Sequence, residues 1–235
     1  RLRRQSPHAH VLAVPHVDTA GRPATVVGAS PELLVARTGA AVRSTPLAGS
    51  VPRAADPRED ARRRAALVAS AKDADEHRVV VDAVAAALAP VCAELVVPER
   101  PEVVGTDTMW HLATPVRGRL TDPPDPRCSV LHLAQALHPT PAVCGEPRAA
   151  AYALVEALEP RERGALTGVV GWVDGRGDGV AALVIRSAVV GSDGVRLYAG
   201  AGIVAGSDPE AEVRETAAKL RTMARALGVP DEVVR

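Results

Sequence analysis

Four β-type runs stand at the head of the chain before any helical pattern begins, and that order restricts the fold more than any other feature. They read "HVLAVPHV", "ATVVGAS", "ELLVART" and "AAVRSTPLAGS", broken by Gly, Pro and Asp in the manner of antiparallel hairpins. The charged segment "DPREDARRRAALVASAKDADEHRVVVDAVAAALAPVCAEL" then reads as two consecutive helices, entered at Asp56 and Pro57, with Pro90 ending or kinking the second. "EVVGTDTMWHLATPVRGRL" returns to strand, and "SVLHLAQAL" and "RAAAYALVEAL" are short helical patterns flanking the turn-rich "HPTPAVCGEP". "GVVGWVD", "GVAALVIRSAVV" and "VRLYAGAGIV" read as three more strands before a final helix from Asp208 to Leu227. Because strands and helices segregate, the pattern predicts one α+β domain over residues 1–235 with mainly antiparallel sheets. "GAGIVAG" loosely suggests a dinucleotide fingerprint, but no second strand follows to carry an acidic ribose ligand.

The final helix has clear punctuation. Asp208 before Pro209 suits an N-cap followed by a first-turn proline, Ser207 with Glu210 would equally make a capping box, and Gly228 and Pro230 supply the stop. Val213, Ala217, Leu220, Ala224 and Leu227 form its apolar stripe, bordered by Glu212, Glu215 and Lys219. On the earlier helix, Asp73 and Glu76 continue the stripe of Val80, Val84, Ala87 and Leu88. A carboxylate aimed with the core residues needs a cation or strong donors, because an unpaired buried charge is costly. Taken alone, Glu215 and Lys219 read as a surface pair, and Asp73 and Glu76 as acids in an exposed first turn. Two such helices together can instead gather oxygen ligands for a hard cation, of which Mg²⁺ suits a few carboxylates completed by water and an anionic substrate.

Composition narrows the partners. Lys and Arg together equal Asp and Glu at 28 each, with no basic stripe, so the electrostatic footprint of a nucleic-acid binder is missing. Three widely spaced cysteines, Cys92, Cys128 and Cys144, indicate neither a disulfide framework nor a zinc site, which suits a reducing cytoplasm. No stretch reaches the roughly 20 apolar residues of a membrane span, and no charged-then-apolar leader precedes the first strand.

The segments "GASPELL", "TPLAGS", "AKDADEH", "WHLATPVRG", "HPTPAVCGEP", "GVVGWVD", "VIRSA", "AGAGIV" and "EVRETAAKL" resemble, in order and across nearly the whole chain, the chorismate-utilising enzymes, and within them the isochorismate synthases of siderophore pathways. The resemblance implies a two-sheet α+β chorismate-binding fold with a cleft that holds chorismate beside one Mg²⁺. It makes Glu76 and Glu215 the principal metal ligands, with Asp73 and Glu212 supporting them. Glu32 matches the acid that protonates the leaving C4 hydroxyl, and His111 the histidine near the reacting ring. Gly49, Ala142, Arg186, Gly200, Ala201, Gly202 and Lys219 match substrate-holding positions. The implied enzyme is cytoplasmic and monomeric when full length.

One part of the family pattern is absent. The general base is a lysine in an upstream strand reading approximately Lys-Val-Val-Leu-Ala-Arg, and the only lysines here, Lys72 and Lys219, belong to other motifs. The chain is therefore expected to lack the N-terminal part of the fold and to turn over poorly by itself. Salicylate, anthranilate and menaquinone-pathway enzymes are rivals within the family, and a degenerate, non-catalytic binding domain is the rival outside catalysis.

Overall fold

The structure, a computed structural model, describes residues 1–18, 20–121 and 128–230. A short helix α1 (Leu2–Gln5) precedes strands β1 (His10–Val17), β2 (Pro23–Ser30), β3 (Leu33–Thr38), β4 (Ala41–Thr45) and β5 (Leu47–Pro52). Helices α2 (Pro57–Ala69) and α3 (Ala71–Leu88) lead through a single 3₁₀ turn at Ala89–Val91 into β6 (Cys92–Val96), β7 (Glu102–Gly105), β8 (Met109–Ala113) and β9 (Val116–Leu120). Then come α4 (Val130–Leu137), α5 (Arg148–Leu158), β10 (Val169–Val173), β11 (Gly179–Leu183), β12 (Ser187–Gly191), β13 (Gly194–Tyr198) and α6 (Pro209–Leu227). The α+β class with antiparallel pairing holds throughout. "CAEL" is strand rather than the tail of a helix, because Pro90 turns the chain at the end of α3.

The described strands form three sheets rather than two: β1-β2-β12-β13, β10-β11-β3-β4-β9-β6 and β5-β8-β7. Two prolines account for the extra division. Ser44 pairs with Val116 in the six-stranded sheet and Leu47 with Ala113 in the three-stranded one, so one antiparallel ribbon runs through both in a single register. Pro46, opposite Thr114, and Pro115, opposite Thr45, interrupt it on adjacent rungs, where neither can donate to the ladder, and a lone Thr114 N–H to Pro46 carbonyl bond of 3.3 Å spans the gap. The bend turns β5 and β8 away from the six-stranded sheet and towards α3, with which β5 packs.

The main core lies between the six-stranded sheet and helices α3 and α4, where Leu34, Val42, Val84, Leu88, Leu120 and Leu133 pack together. Burial of such side chains contributes roughly 1.5 to 3 kcal/mol each. A second, small cluster of Leu12, Val26 and Val184 underlies the four-stranded sheet. Helix α6 lies against β5, β13 and β2. Asp208 is its N-cap, accepting from the Ala211 N–H at 2.8 Å, and Gly228 closes it at φ 80°, a left-handed conformation that glycine adopts without steric penalty. No helix among the described residues is long and apolar enough to cross a membrane.

Three sequence readings are corrected here. The buried face of α6 is Glu212, Glu215, Ala218 and Thr222 with Ala217, Met223 and Ala224, while Val213 is 62% exposed and Leu227 also faces solvent. The acids therefore sit within the inward face instead of bordering it. "GVAALVIRSAVV" is also two strands, because Val184, Ile185 and Arg186 carry the chain from the six-stranded sheet into the four-stranded one, and Arg186 takes a left-handed φ of 50° there. β13 likewise ends at Tyr198, and "AGAGIV" is loop.

Candidate active site

Glu32 occupies the turn between β2 and β3, where its carbonyl accepts from the Leu183 N–H and its side chain is buried, 3% exposed. Its Oε1 meets only a long contact, 3.5 Å, from the Leu47 N–H. Burial raises its pKa to about 7; the Leu47 N–H and the charges of Lys219 and Arg186 oppose the rise without reversing it. A carboxylic acid that retains its proton near neutrality is a donor as well as an acceptor.

Arg186 and His111 are buried nearby, and Arg186 Nη2 donates to His111 Nε2 at 3.1 Å. Since a guanidinium can only donate, His111 accepts on Nε2 and carries its proton on Nδ1. Burial, then the Arg186 and Lys219 charges, hold its pKa well below the usual histidine range, so it stays neutral. Burial likewise lowers Arg186 to about 10, against the attraction of Glu215 and Glu32. A buried guanidinium with no direct carboxylate partner has donors to spare for an anion.

The carboxylates converge where α3 and α6 meet β5. α3 supplies Asp73 and Glu76 and α6 supplies Glu212 and Glu215. Glu215 Oε1 accepts from Ser50 Oγ at 2.9 Å and from Lys219 Nζ at 2.5 Å, and Lys219 also donates to the Gly200 carbonyl at 2.9 Å. Lys72 Nζ lies 2.9 Å from Glu212 Oε1, 3.3 Å from Glu76 Oε2 and 3.8 Å from Asp73 Oδ1. Burial pulls the Lys72 ammonium down, but its bond to Glu212 and the charges of Glu76, Glu212 and Asp73 outweigh that and hold it above the usual lysine range. Burial also raises Glu76; Lys72 counters this and Glu215 adds to it. A cavity of about 420 Å³ opens here between Lys72, Asp73, Glu212, Glu215 and Ser50, and another of about 350 Å³ lies on the Arg186 side beside Leu47 and Thr222.

Two glycines let these groups approach. A Cβ on Gly202 would stand 2.3 Å from Glu76 Oε1, and Gly49, at φ 75°, passes so close that a Cβ would meet Asp73 Cβ at 3.0 Å. Gly200 and Ala201 share the Gly202 loop, which Lys219 ties to α6. Ala142 is placed apart: it lies in the turn of the 138–147 loop, whose hydrogen bonds run to Arg148, Arg163 and Thr167.

The fit of the carboxylates to a divalent cation can be judged from their own atoms. No three His, Cys, Asp or Glu side chains among the described residues are already drawn into a closed ligand set. Lys72 stands between three of them. Glu212 Oε2 is nevertheless buried without a hydrogen-bond partner, and all the donors are oxygens. An orphaned anionic oxygen in a carboxylate cluster suits a hard cation such as Mg²⁺.

Sequence reasoning missed His77, Thr114 and Ser50. His77 is buried, with its Nδ1 3.0 Å from the Ala48 carbonyl and its Nε2 2.7 Å from Thr114 Oγ1. The carbonyl can only accept, so Nδ1 bears the proton and Thr114 donates to Nε2. This bridge ties α3 to β5 and to the proline break, and so sets the spacing between the carboxylates and the Glu32 side. The available signal was a histidine on the stripe of Val80, Val81, Val84 and Leu88.

Comparison with known proteins adds a family. The family described as "Chorismate binding enzyme" matches residues 1–228. The isochorismate synthase DhbC of Bacillus subtilis is 57% identical over 87% of this chain and 51% of its own length. The vibriobactin-specific isochorismate synthase of Vibrio cholerae is 48% identical over the same shares, 87% and 51%. The crystal structure of DhbC from Bacillus anthracis superposes with a TM-score of 0.93 at 50% identity, covering 97% of this chain and 60% of that one. The chain thus spans about half the length of the curated relatives it matches.

Proposed function

The chain belongs to the family of chorismate binding enzymes, and from that premise we propose that it carries the acid, cation and carboxylate-holding machinery of an isochorismate synthase. In that reaction water adds at C2 of chorismate, the ring double bonds shift and the C4 hydroxyl leaves, so the atoms of one water enter and those of another depart. Hydroxide is a poor leaving group, and a neutral acid at C4 lowers the barrier by protonating it as the C–O bond breaks. The observation that carries the reading is Glu32, buried and protonated up to about pH 7 within reach of the Arg186 and Lys219 charges.

In this reading Arg186 holds a substrate carboxylate through its uncommitted donors and His111 faces the ring as a neutral imidazole. The Gly200, Ala201 and Gly202 backbone and Lys219 hold a second carboxylate, with Gly49 at the edge of the substrate volume and Ala142, on the 138–147 loop, a substrate contact that rests on the resemblance alone. Glu76 and Glu215 would be the principal Mg²⁺ ligands, supported by Asp73 and Glu212. When bound, Mg²⁺ would anchor a substrate carboxylate and offset part of its charge. Residues 1–235 act as one domain, a cytoplasmic monomer when full length that engages neither nucleic acid nor membrane, and the product feeds salicylate or 2,3-dihydroxybenzoate siderophores.

Both lysines are engaged by carboxylates, Lys72 with Glu212 and Glu76 and Lys219 with Glu215. Neither is a free amine able to take a proton from the attacking water, which favours weak turnover by this chain alone. The test is chromatographic identification of products from chorismate and Mg²⁺, using this chain and any longer polypeptide that contains it. Isochorismate from the longer protein, lost on Glu32→Gln by about a hundredfold or more, is the expected result. Salicylate or, with ammonia, anthranilate as the first product would move the assignment within the family. Chorismate binding without any product would establish the non-catalytic alternative.

A further inference from the structure

The Lys72 ammonium occupies the place where a cation shared by α3 and α6 would sit. It reaches Glu212 from the opposite helix at 2.9 Å, Glu76 at 3.3 Å and Asp73 at 3.8 Å, closing a carboxylate cluster drawn from the N-terminal ends of two helices. Glu212, 7% exposed, still has Oε2 without a partner, so one ammonium does not satisfy the oxygens gathered around it. Lys72 is also placed to leave. Its side chain is 23% exposed, lies in the wall of the 420 Å³ cavity, and passes Gly206, where no side chain blocks it. Lys219, by contrast, is held by both Glu215 and the Gly200 carbonyl.

A divalent ion and this ammonium cannot share the same oxygens. Mg²⁺ draws carboxylate oxygens to about 2.1 Å, whereas an ammonium holds them near 2.9 Å, and a unit charge kept within about 4 Å of a dication repels it strongly in a partly buried site. We propose that Lys72 is a displaceable countercation: it closes the α3–α6 carboxylate cluster when no divalent ion is present and swings into the cavity when one binds. This rests on the reading of Asp73, Glu76, Glu212 and Glu215 as a cation site. Lys72 then sets the affinity for the metal and tethers the two helices in its absence, a role distinct from substrate binding or acid catalysis.

The sequence makes the test clean, because Lys72 and Lys219 are its only lysines. Both are labelled by reductive ¹³C-methylation, which keeps their charge, and followed by NMR as Mg²⁺ is added, with the Lys72→Met variant assigning the two signals. The Lys72 resonance is expected to move to the position of a free, solvated lysine with the same midpoint at which the protein binds the ion. In parallel, Mn²⁺ affinity is measured by electron paramagnetic resonance. Lys72→Met is expected to bind Mn²⁺ at least about tenfold more tightly than the parent, since no ammonium must leave, and to melt at a lower temperature in chelator. Lys72→Arg, which keeps the charge and the fold, is expected to bind no more tightly than the parent. Mn²⁺ binding with an unmoved Lys72 signal, or equal or weaker binding by Lys72→Met, overturns the inference and leaves the cation site standing. Absence of Mn²⁺ binding by parent and variants alike overturns the cation site and the inference with it.

Discussion

Two neighbouring groups of buried charge about β5 are handled in opposite ways. On the Glu32 side, one carboxyl, one imidazole and one guanidinium are buried, with a single long N–H contact to the acid among the described residues, and burial decides the protonation states: Glu32 up to about 7, Arg186 down to about 10, His111 neutral. On the α3–α6 side, four carboxylates are matched by two lysines and a serine, so ion pairing rather than burial settles the state of Lys72. A carboxyl whose desolvation outweighs the pull of nearby cations keeps its proton; carboxylates in direct contact with ammonium groups pair with them. The difference comes from neighbours, since all five acids are the same functional group.

The largest expected effect tests the Glu32 side. Glu32 has a folded pKa of about 7 against a reference of 4.5, so between those values the folded state holds a proton that the unfolded state has released. Its contribution is therefore fully present below pH 4.5, declines as pH rises, and is lost above about 7, a swing of about 3 kcal/mol. Glu32→Gln is neutral at every pH and removes that slope. Urea unfolding of parent and variant at pH 4.5 and pH 8 should give a stability difference that shifts by about this amount in favour of the variant at pH 8. A pH-independent difference would place Glu32 with the ionised acids and break the contrast.

The spacing between the two sides offers a second handle. His77→Leu removes both bonds of the α3 bridge, leaving the Ala48 carbonyl and the Thr114 hydroxyl without their partner in a buried setting, at a cost of roughly 2 kcal/mol. His77→Gln, which retains a donor and an acceptor, should recover part of it. If the bridge sets the spacing, His77→Leu also weakens Mn²⁺ binding at carboxylates it does not touch; stability loss with unchanged affinity would show that the two sides are positioned independently.

Much of this architecture was legible in the residues, and what was not required knowing which segments meet. The strand runs from "HVLAVPHV" to "ELLVART", the two central helices and the Asp208 cap carry their own local signals and fall where periodicity and punctuation put them. The division of one ribbon into two sheets did not, because Pro46 and Pro115 mean little until they are known to fall on adjacent rungs of one ribbon. Helix α6 misled for a physical reason. Apolar periodicity assumes that the inward face is greasy, yet this helix turns Glu212 and Glu215 inward onto a polar cluster and leaves Val213 outside. Likewise "VIRSA" reads as strand, and only the passage between sheets puts Arg186 in a left-handed bend. The motifs named the candidate residues; their grouping into an acid side and a carboxylate side came from burial and distance.

The smallest effect sharpens the comparison most economically. Asp208 caps α6 through the Ala211 N–H and Asp56 caps α2 through the Glu59 N–H, both at 2.8 Å, so Asp208→Ala and Asp56→Ala should each destabilise by about 1 kcal/mol. They differ in what the freed turn carries. The first turn of α6 holds Glu212, which Lys72 ties to α3, whereas the first turn of α2 holds Glu59, paired with Arg62 and Arg63 on its own helix. Fraying α6 lets Glu212 move away from Glu76 and Asp73; fraying α2 leaves all three in place. Asp208→Ala should therefore lower Mn²⁺ affinity several-fold and speed amide exchange in the α6 first turn, while Asp56→Ala leaves affinity unchanged. Equal affinities in the two variants would mean that the cation side is held by Glu76 and Glu215 alone, with Glu212 a partner of Lys72 and nothing more.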